Sequence, residues 1–305
     1  MRIRIPAPVY HNVYGTCGMS GKLKYGLEKL GHEIVQGNKW EGKEDLMVIF
    51  GSASSFKEMP TDGKKIWVSH GVHWFKGFNV SENQVLRDNF EQCDAIAYQS
   101  KFAKYMTEKA FGIKEGPIVL NAGISDFPQM SQTWKRGEEI RIVVCAVWRA
   151  WKRLHECERL VREIAKRGYK VRMYVVGRSP TEKGFYGLPL SGENYYIEYV
   201  GMMNHETMKN IYHQCHLFLQ LSFNDYSPAT CLEAQGWGLP VIGVNSGGIP
   251  DEIGTTETIV DSDPFIDYPI NINREDIVPL IDTEKFFTIF EKVINNLSYY
   301  QNETR

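Results

Sequence analysis

DYSPATCLEAQGWGLPVIGVNSGGIPDE, residues 225–252, lies three residues after the short, mostly apolar run Leu217–Leu221. A compact apolar run closed by turn residues reads as a strand buried on both faces. Ser227-Pro228 then predicts a helix start, with Ser at the N-cap and Pro at the first helical position. The helix runs near 228–237, and Gly238-Leu239 leads into a second buried strand, Pro240–Val244. The loop between the first strand and the helix lies at the strand's carboxyl end, where open α/β sheets bind their ligands. There the exposed N–H groups of Ala229, Thr230 and Cys231 would form an anion site, favoured by the helix dipole. Asp225 stands just before that terminus and Glu233 about a turn and a half inside the helix. Two carboxylates flanking a phosphate-binding turn suit the hydroxyls of a sugar and a ribose.

The same alternation extends in both directions. Upstream lie strand Ile140–Ala146, a helix near 154–167, strands Lys170–Val176 and Tyr196–Val200, and a helix near 205–214. The N-terminal half repeats the pattern. Strand 2–6, a glycine-rich loop and helix Lys22–Leu30 come first, then strands Glu33–Val35, Leu46–Phe50 and Ile66–Ser69. A helix near 81–92, strand Ala95–Tyr98, helix Lys101–Phe111 and strand Ile118–Leu120 close it. Short strands separated by helices predict parallel sheets covered on both faces. Polar residues 129–138 read as a linker. The expected organisation is an N-terminal Rossmann-like domain over 1–137 on the acceptor side and a C-terminal Rossmann-like domain over 138–282 that binds the nucleotide. An amphipathic helix within 283–305 would pack back toward the first domain, and the ligand cleft would lie between the two.

Composition narrows the class. The 305 residues hold no 18-residue apolar run, and the start, Met1-Arg-Ile-Arg-Ile-Pro, has no signal-peptide core, so a cytoplasmic location is expected. The six cysteines are scattered without a Cys-x-x-Cys pair, which argues against a disulfide framework or structural zinc. A net charge of -2 argues against a dedicated nucleic-acid binder. Residues 1–137 carry 18 Lys and Arg against 14 Asp and Glu, the remainder 17 against 23. That mild asymmetry suits an anionic acceptor, a weak peripheral membrane contact or an ordinary solvated face.

The stretch 225–252 resembles the signature of the retaining GT-B glycosyltransferases of family 4, the group 1 type. That signature is an acidic residue, seven residues, then Glu-Ala, a Gly-x-Pro-Val-Ile strand and a Gly-Gly-x-x-Glu loop. Asp225 and Glu233 fit the acidic pair, with Asp where the family usually has Glu. Gly238-Leu-Pro-Val-Ile fits the strand, and Ser246-Gly247-Gly248-Ile-Pro-Asp251 the loop. Val143–Lys152 is similar to the family's strand-then-basic motif, which gives Arg149 and Lys152 the donor diphosphate to neutralise. Tyr174-Val-Val-Gly177-Arg178 and Tyr199-Val-Gly-Met202-Met203 match strand ends that flank the nucleotide base. His70, in His70-Gly-Val-His73 after a strand, takes the place of a family histidine that contacts the donor sugar or reacting centre. Asn121-Ala-Gly-Ile-Ser resembles a family turn with one residue added. Gly15 and Gly18 lie in the loop after the first strand, where the family uses glycine for close backbone approach. That loop fits neither the P-loop nor Gly-x-Gly-x-x-Gly.

The resemblance implies a GT-B fold with a reduced N-terminal domain and a retaining hexosyltransferase using a nucleoside diphosphate sugar, UDP- or GDP-linked. The acceptor would be a glycan, a lipid-linked or another hydroxyl. Arg149, Lys152, Asp225 and His70 would be catalytic. Glu233 would hold the ribose, with Ser227, Pro228, Ala229, Thr230, Gly247 and Gly248 around the phosphates and sugar. No cofactor or metal is expected; Asp261-Ser-Asp263 spells the Asp-x-Asp of metal-dependent transferases but lies late, in a loop-like region. Other readings share the layout: an epimerase or phosphorylase, a non-catalytic sugar-nucleotide binder, or a glucosyltransferase acting on modified nucleic acid.

Overall fold

The computed structural model describes residues 1–6, 16–37, 42–51, 55–58, 63–73, 80–120, 132–178, 188–265 and 278–303. The chain divides into two compact units, one over Met1–Ala122 and Ile266–Arg274 and the other over Gly123–Phe265 and Glu275–Arg305. No helix among the described residues is long and apolar enough to cross a membrane.

The first unit holds β1 (Arg2–Ile5), α1 (Thr16–Lys29), β2 (Glu33–Gln36), β3 (Leu46–Phe50), β4 (Lys64–Ser69), α2 (Val80–Gln92), β5 (Ala95–Tyr98) and α3 (Lys101–Phe111). Its sheet runs β2-β1-β3-β4-β5, every pair parallel. Ile3, Ile5, Val48 and Phe50 pack with Leu23 and Leu27 of α1, while Met47, Ile49, Trp67, Ile96 and Tyr98 pack with Leu86 and Phe90 of α2. Helix α3 starts where Ser100 accepts the Ala103 N–H at 2.9 Å and stops at Gly112, φ 110°.

Two expectations fail here. The glycine-rich stretch is helix from Thr16 onward, so Gly18 sits in α1 and not in a loop. A helical glycine costs only about 1 kcal/mol relative to alanine, and Ser20 and Gly21 are buried, so small residues at these positions bring α1 into close packing. Ile118–Leu120 forms a single parallel bridge, Ile118 to Tyr98, and no strand. All three side chains are exposed, so no buried face sustains a longer ladder. Gly15, the Asn121–Ser125 turn and residues 129–131 of the linker lie outside the described residues.

The second unit contains β6 (Ile140–Val147), α4 (Leu154–Lys166), β7 (Val171–Arg178), β8 (Leu190–Gly192), β9 (Tyr195–Gly201), α5 (His205–Gln214), β10 (Leu217–Gln220), α6 (Ala229–Gly236), β11 (Val241–Val244), α7 (Ile249–Ile253), β12 (Ile259–Val260), α8 (Thr283–Asn295) and α9 (Leu297–Glu303). The sheet order is β12-β11-β10-β6-β7-β9-β8, parallel except for the β8–β9 hairpin at one edge. Strands β10 and β11 are buried at every position, the polar Gln220 included. The chain winds from β6 through β7 to β9, then crosses back to place β10 on the other side of β6. That reversal makes the carboxyl ends of β6 and β10 a topological switch point, where flanking loops diverge and leave a crevice.

Helix α8 bears out the amphipathic reading. Asp282 caps it by accepting the N–H groups of Glu284 and Lys285, both at 3.0 Å, and Phe286, Phe287, Phe290, Val293 and Ile294 are buried. Tyr169 stands edge-on to Phe290, ring centroids 5.6 Å apart. Phe290 is fully buried, so Phe290→Ala should lower stability by about 3–5 kcal/mol; a urea midpoint within error of wild type would contradict this packing.

Candidate functional site

The switch point carries three segments. The first follows β6. Trp148 is buried, its N–H donating to Arg178 O at 2.8 Å and its indole N–H to Val176 O at 2.9 Å. These bonds fix the exit of the chain from the sheet. A single 3-10 turn, Ala150–Lys152, then leads into α4 through Arg153, which adopts the left-handed conformation at φ 55°. Arg149 is exposed, its guanidinium 5.1 Å from the Trp151 ring centroid.

The second segment follows β10. Phe223 N–H donates to Trp151 O at 2.7 Å, which ties this loop to the first segment. Asn224 is left-handed at φ 49°, with its N–H on Ser246 Oγ at 2.9 Å. Asp225 follows and accepts a hydrogen bond from Lys152 Nζ in an ion pair. Both side chains are largely but not wholly covered, 21% exposed for Lys152 and 16% for Asp225. The pair therefore lies at a surface a ligand can reach, partly shielded from water, where charge interactions are stronger than in bulk solvent.

The third segment follows β11. Gly248 N–H donates to Asp225 O at 2.7 Å, and Gly247, at φ 62°, passes so close that an added Cβ would sit 2.3 Å from Asp225 O. These glycines hold Asp225 from behind. The Gly248 N–H expected to approach a phosphate is thus engaged within the protein.

Helix α6 begins beside these segments, with Pro228 at the N-cap and Ala229 as its first residue. Ser227 does not cap it. Its hydroxyl donates to Glu252 Oε1, joining the start of α6 to α7. The N-cap position belongs to Pro228, which has no side-chain oxygen to accept a helix N–H. Thr230 Oγ1 lies 3.4 Å from Gln220 Oε1, and the Cys231 N–H bonds to Pro228 O, so the anion-facing donors reduce to those at the very start of the helix. Glu233 is buried on α6. Cys145, on β6, senses both Glu233 and Lys152: burial pushes its thiol up to about 12, the Glu233 carboxylate adds to the rise and Lys152 opposes it. A thiol in that state is no nucleophile at neutral pH.

Gly177, at φ 114°, has no room for a side chain: an added Cβ would lie 1.8 Å from Ala146 O. Arg178 and Met202, at the ends of β7 and beyond β9, are exposed. Among the described residues, no group of three or more His, Cys, Asp or Glu side chains is arranged to hold a metal ion. Asp263 of the Asp-x-Asp accepts two hydrogen bonds from the buried Arg153, and Asp261 accepts one from Asn245.

His70 belongs to the first unit, directly after β4. Its Nε2 is buried and has no hydrogen-bond partner among the described residues, although part of the residue reaches the surface. The ring meets Phe50 edge-on, centroids 6.3 Å apart. Burial lowers its pKa to about 4, so the imidazole is neutral at pH 7. His216 is lowered to about 4 as well, chiefly by burial; its Nδ1 accepts the Arg141 N–H at 2.9 Å. A histidine held neutral in the fold but protonated near 6.5 when unfolded makes stability fall as pH drops below 6.5, levelling below 4. Stability should therefore decline between pH 7 and pH 4.5, and His70→Gln should flatten part of that slope; an unchanged slope in urea titrations would refute the assignment.

Of the residues singled out in the sequence, the structure brings together Lys152, Asp225, Gly247 and Gly248, with Ser227–Thr230 at the adjoining helix start. His70 and Gly18 belong to the other unit. Arg153 and Asn224 carry the local architecture together with Ser246 and Glu252 of the segment after β11, and neither Arg153 nor Asn224 was anticipated.

Residues 126–264 match the family model of glycosyl transferases group 1. No curated protein matches the chain in sequence. Among solved structures, TarM is 14% identical with a TM-score of 0.56; the match covers 92% of this chain and 53% of TarM, about half its length. An alpha-glucosyltransferase in complex with UDP and a 13-mer DNA containing an HMU base is 14% identical with a TM-score of 0.59, covering 100% of this chain and 93% of that one. Sucrose-phosphate synthase from Thermosynechococcus elongatus is 12% identical with a TM-score of 0.64, covering 100% and 92%. At these identities the likeness is one of fold, and the fold is GT-B.

Proposed function

We propose that this chain, whose residues 126–264 match the family model of glycosyl transferases group 1, moves a sugar from a nucleoside diphosphate sugar to an acceptor hydroxyl with retention of configuration. The observation that carries the reading is the Lys152–Asp225 pair, set at the switch point beside the start of α6.

In transfer, the bond between the anomeric carbon and the β-phosphate oxygen breaks, and its electron pair stays on the departing diphosphate. Lys152 and the first N–H groups of α6 supply positive charge where that negative charge grows. Asp225 accepts hydrogen bonds from sugar hydroxyls as its pairing with Lys152 loosens, and Glu233 holds the ribose. The acceptor hydroxyl attacks the face the diphosphate leaves, and its proton passes to a phosphate oxygen. The products are a glycoside and a free nucleoside diphosphate, and no protein nucleophile is needed. A UDP-sugar is the first donor to try, since a glucosyltransferase of the same fold holds UDP. A glycan or lipid-linked hydroxyl is the acceptor class proposed.

The test is calorimetric titration with UDP, GDP, ADP and their glucose conjugates. Selective binding lost in Glu233→Ala is expected; no binding of any nucleotide would overturn the reading.

A further inference from the structure

We infer that the buried Arg153–Asp263 pair is a positioning device that sets Lys152 against Asp225, and through them the cation offered to the diphosphate; this rests on the function proposed above. Both side chains are wholly buried. Arg153 Nη1 and Nη2 donate to the two carboxylate oxygens of Asp263 at 2.9 and 2.7 Å, the two-pronged geometry that fixes a guanidinium plane. Nη1 also reaches Leu221 O at 3.3 Å, at the end of β10, and the guanidinium carbon lies 5.0 Å from the Phe223 ring centroid. Asp263 is itself held, its N–H donating to Asn245 Oδ1 at 2.8 Å, just beyond β11. One guanidinium thus ties the turn carrying Lys152 to the loop carrying Asp225 and to the segment beyond β12.

The conformation points the same way. Arg153 is left-handed, a state disfavoured for any residue with a Cβ. Its Nε is buried without a partner among the described residues. A strained backbone and an unsatisfied donor are poor choices for stability alone, and a buried ion pair is weak evidence for stability, since apolar replacement of both partners is often neutral or better. That asymmetry separates a positioning role from a merely structural one.

The experiment compares Asp263→Asn with the double variant Arg153→Met/Asp263→Leu. The single variant strands a buried cation and should unfold at lower urea; the double variant should regain the wild-type midpoint. Two readouts follow in the refolded double variant. The first needs no ligand: with lysines reductively 13C-methylated, the Lys152 resonance, assigned by its loss in Lys152→Arg, should move from its wild-type position. The second is UDP affinity by calorimetry, which should weaken by roughly tenfold or more, as expected when a binding group is misplaced by about an ångström. A Lys152 resonance at its wild-type position overturns the inference, whether or not the wild type binds UDP. A moved resonance with unchanged UDP affinity overturns the link to the diphosphate. Wild type that binds no nucleotide overturns the proposed function alone and leaves the resonance to decide. Should the double variant fail to fold, Arg153→Lys keeps the charge, drops the two-pronged contact and is read in the same way.

Discussion

Lys152→Ala should slow sugar transfer by about 100- to 1,000-fold, the usual loss when one preorganised donor to a developing oxyanion is removed. Lys152 is the cation that the fold places at the switch point with its charge turned onto Asp225. Removing it has two consequences of the same sign. The departing diphosphate loses its compensating charge, and Asp225 becomes an unpaired carboxylate facing an anionic ligand. Affinity for the diphosphate should fall together with turnover, and the combined loss should appear in kcat/KM. Asp225→Asn separates the two effects. It removes the charged competitor for the Lys152 amine, so UDP should bind at least as tightly as to wild type, while transfer falls because an amide oxygen is a weaker acceptor for the sugar hydroxyls than a carboxylate. Donor turnover by Lys152→Ala near the wild-type rate would remove the residue from the mechanism.

Gly177→Ala should be the most disruptive single methyl in the second unit. The glycine pairs with Ala146 across β6 and β7, at φ 114°. An added Cβ would lie 1.8 Å from Ala146 O, a backbone atom that cannot swing aside. Relief requires the carboxyl ends of β6 and β7 to part, which breaks the N–H of Trp148 from Arg178 O and releases the turn that carries Lys152. A destabilisation above about 4 kcal/mol is expected, the range reserved for a forced backbone or a broken core. Gly168→Ala is the control. It too has positive φ, 89°, but nothing lies within 4 Å of its added Cβ, so only local strain is charged, about 1 kcal/mol. Equal urea midpoints for the two variants would show that the close approach to Ala146 is not what selects glycine at 177.

Much of this fold is legible in the sequence because burial dictates residue type. Apolar runs such as Leu217–Leu219 and Val241–Val244, buried on both faces, read as strands once helices separate them. Weak elements escaped. The three-residue β8 and two-residue β12 are too short to show an alternation that a local pattern could reveal. The start of α1 was hidden because glycine reads as a loop even where close packing tolerates it in a helix. At the site, Lys152 and Asp225 are legible through spacing and charge, but their pairing is not, since it joins residues 73 positions apart. Ser227 carries the clearest local signal of all, Ser before Pro, and that signal misleads because the helix starts one residue later, with Pro228 at the N-cap and the Ser227 hydroxyl donating to Glu252. Arg153 has the opposite character: it reads as one more surface cation, and only the tertiary structure reveals it buried against Asp263.

The parallel arrangement of the strands also governs how the chain can be recovered after denaturation. Among the described residues, the β8–β9 hairpin is the sole antiparallel pair, and the only one that two neighbouring strands can close through a short turn, on a microsecond scale. Every other pairing waits for a crossover, and the central one, Leu217 on Ile142, waits until the whole winding from β6 to β9 is complete. Until then β6 shows an open apolar edge to any neighbour in solution. Refolding should thus be slow and strongly dependent on dilution, with aggregation competing through that edge.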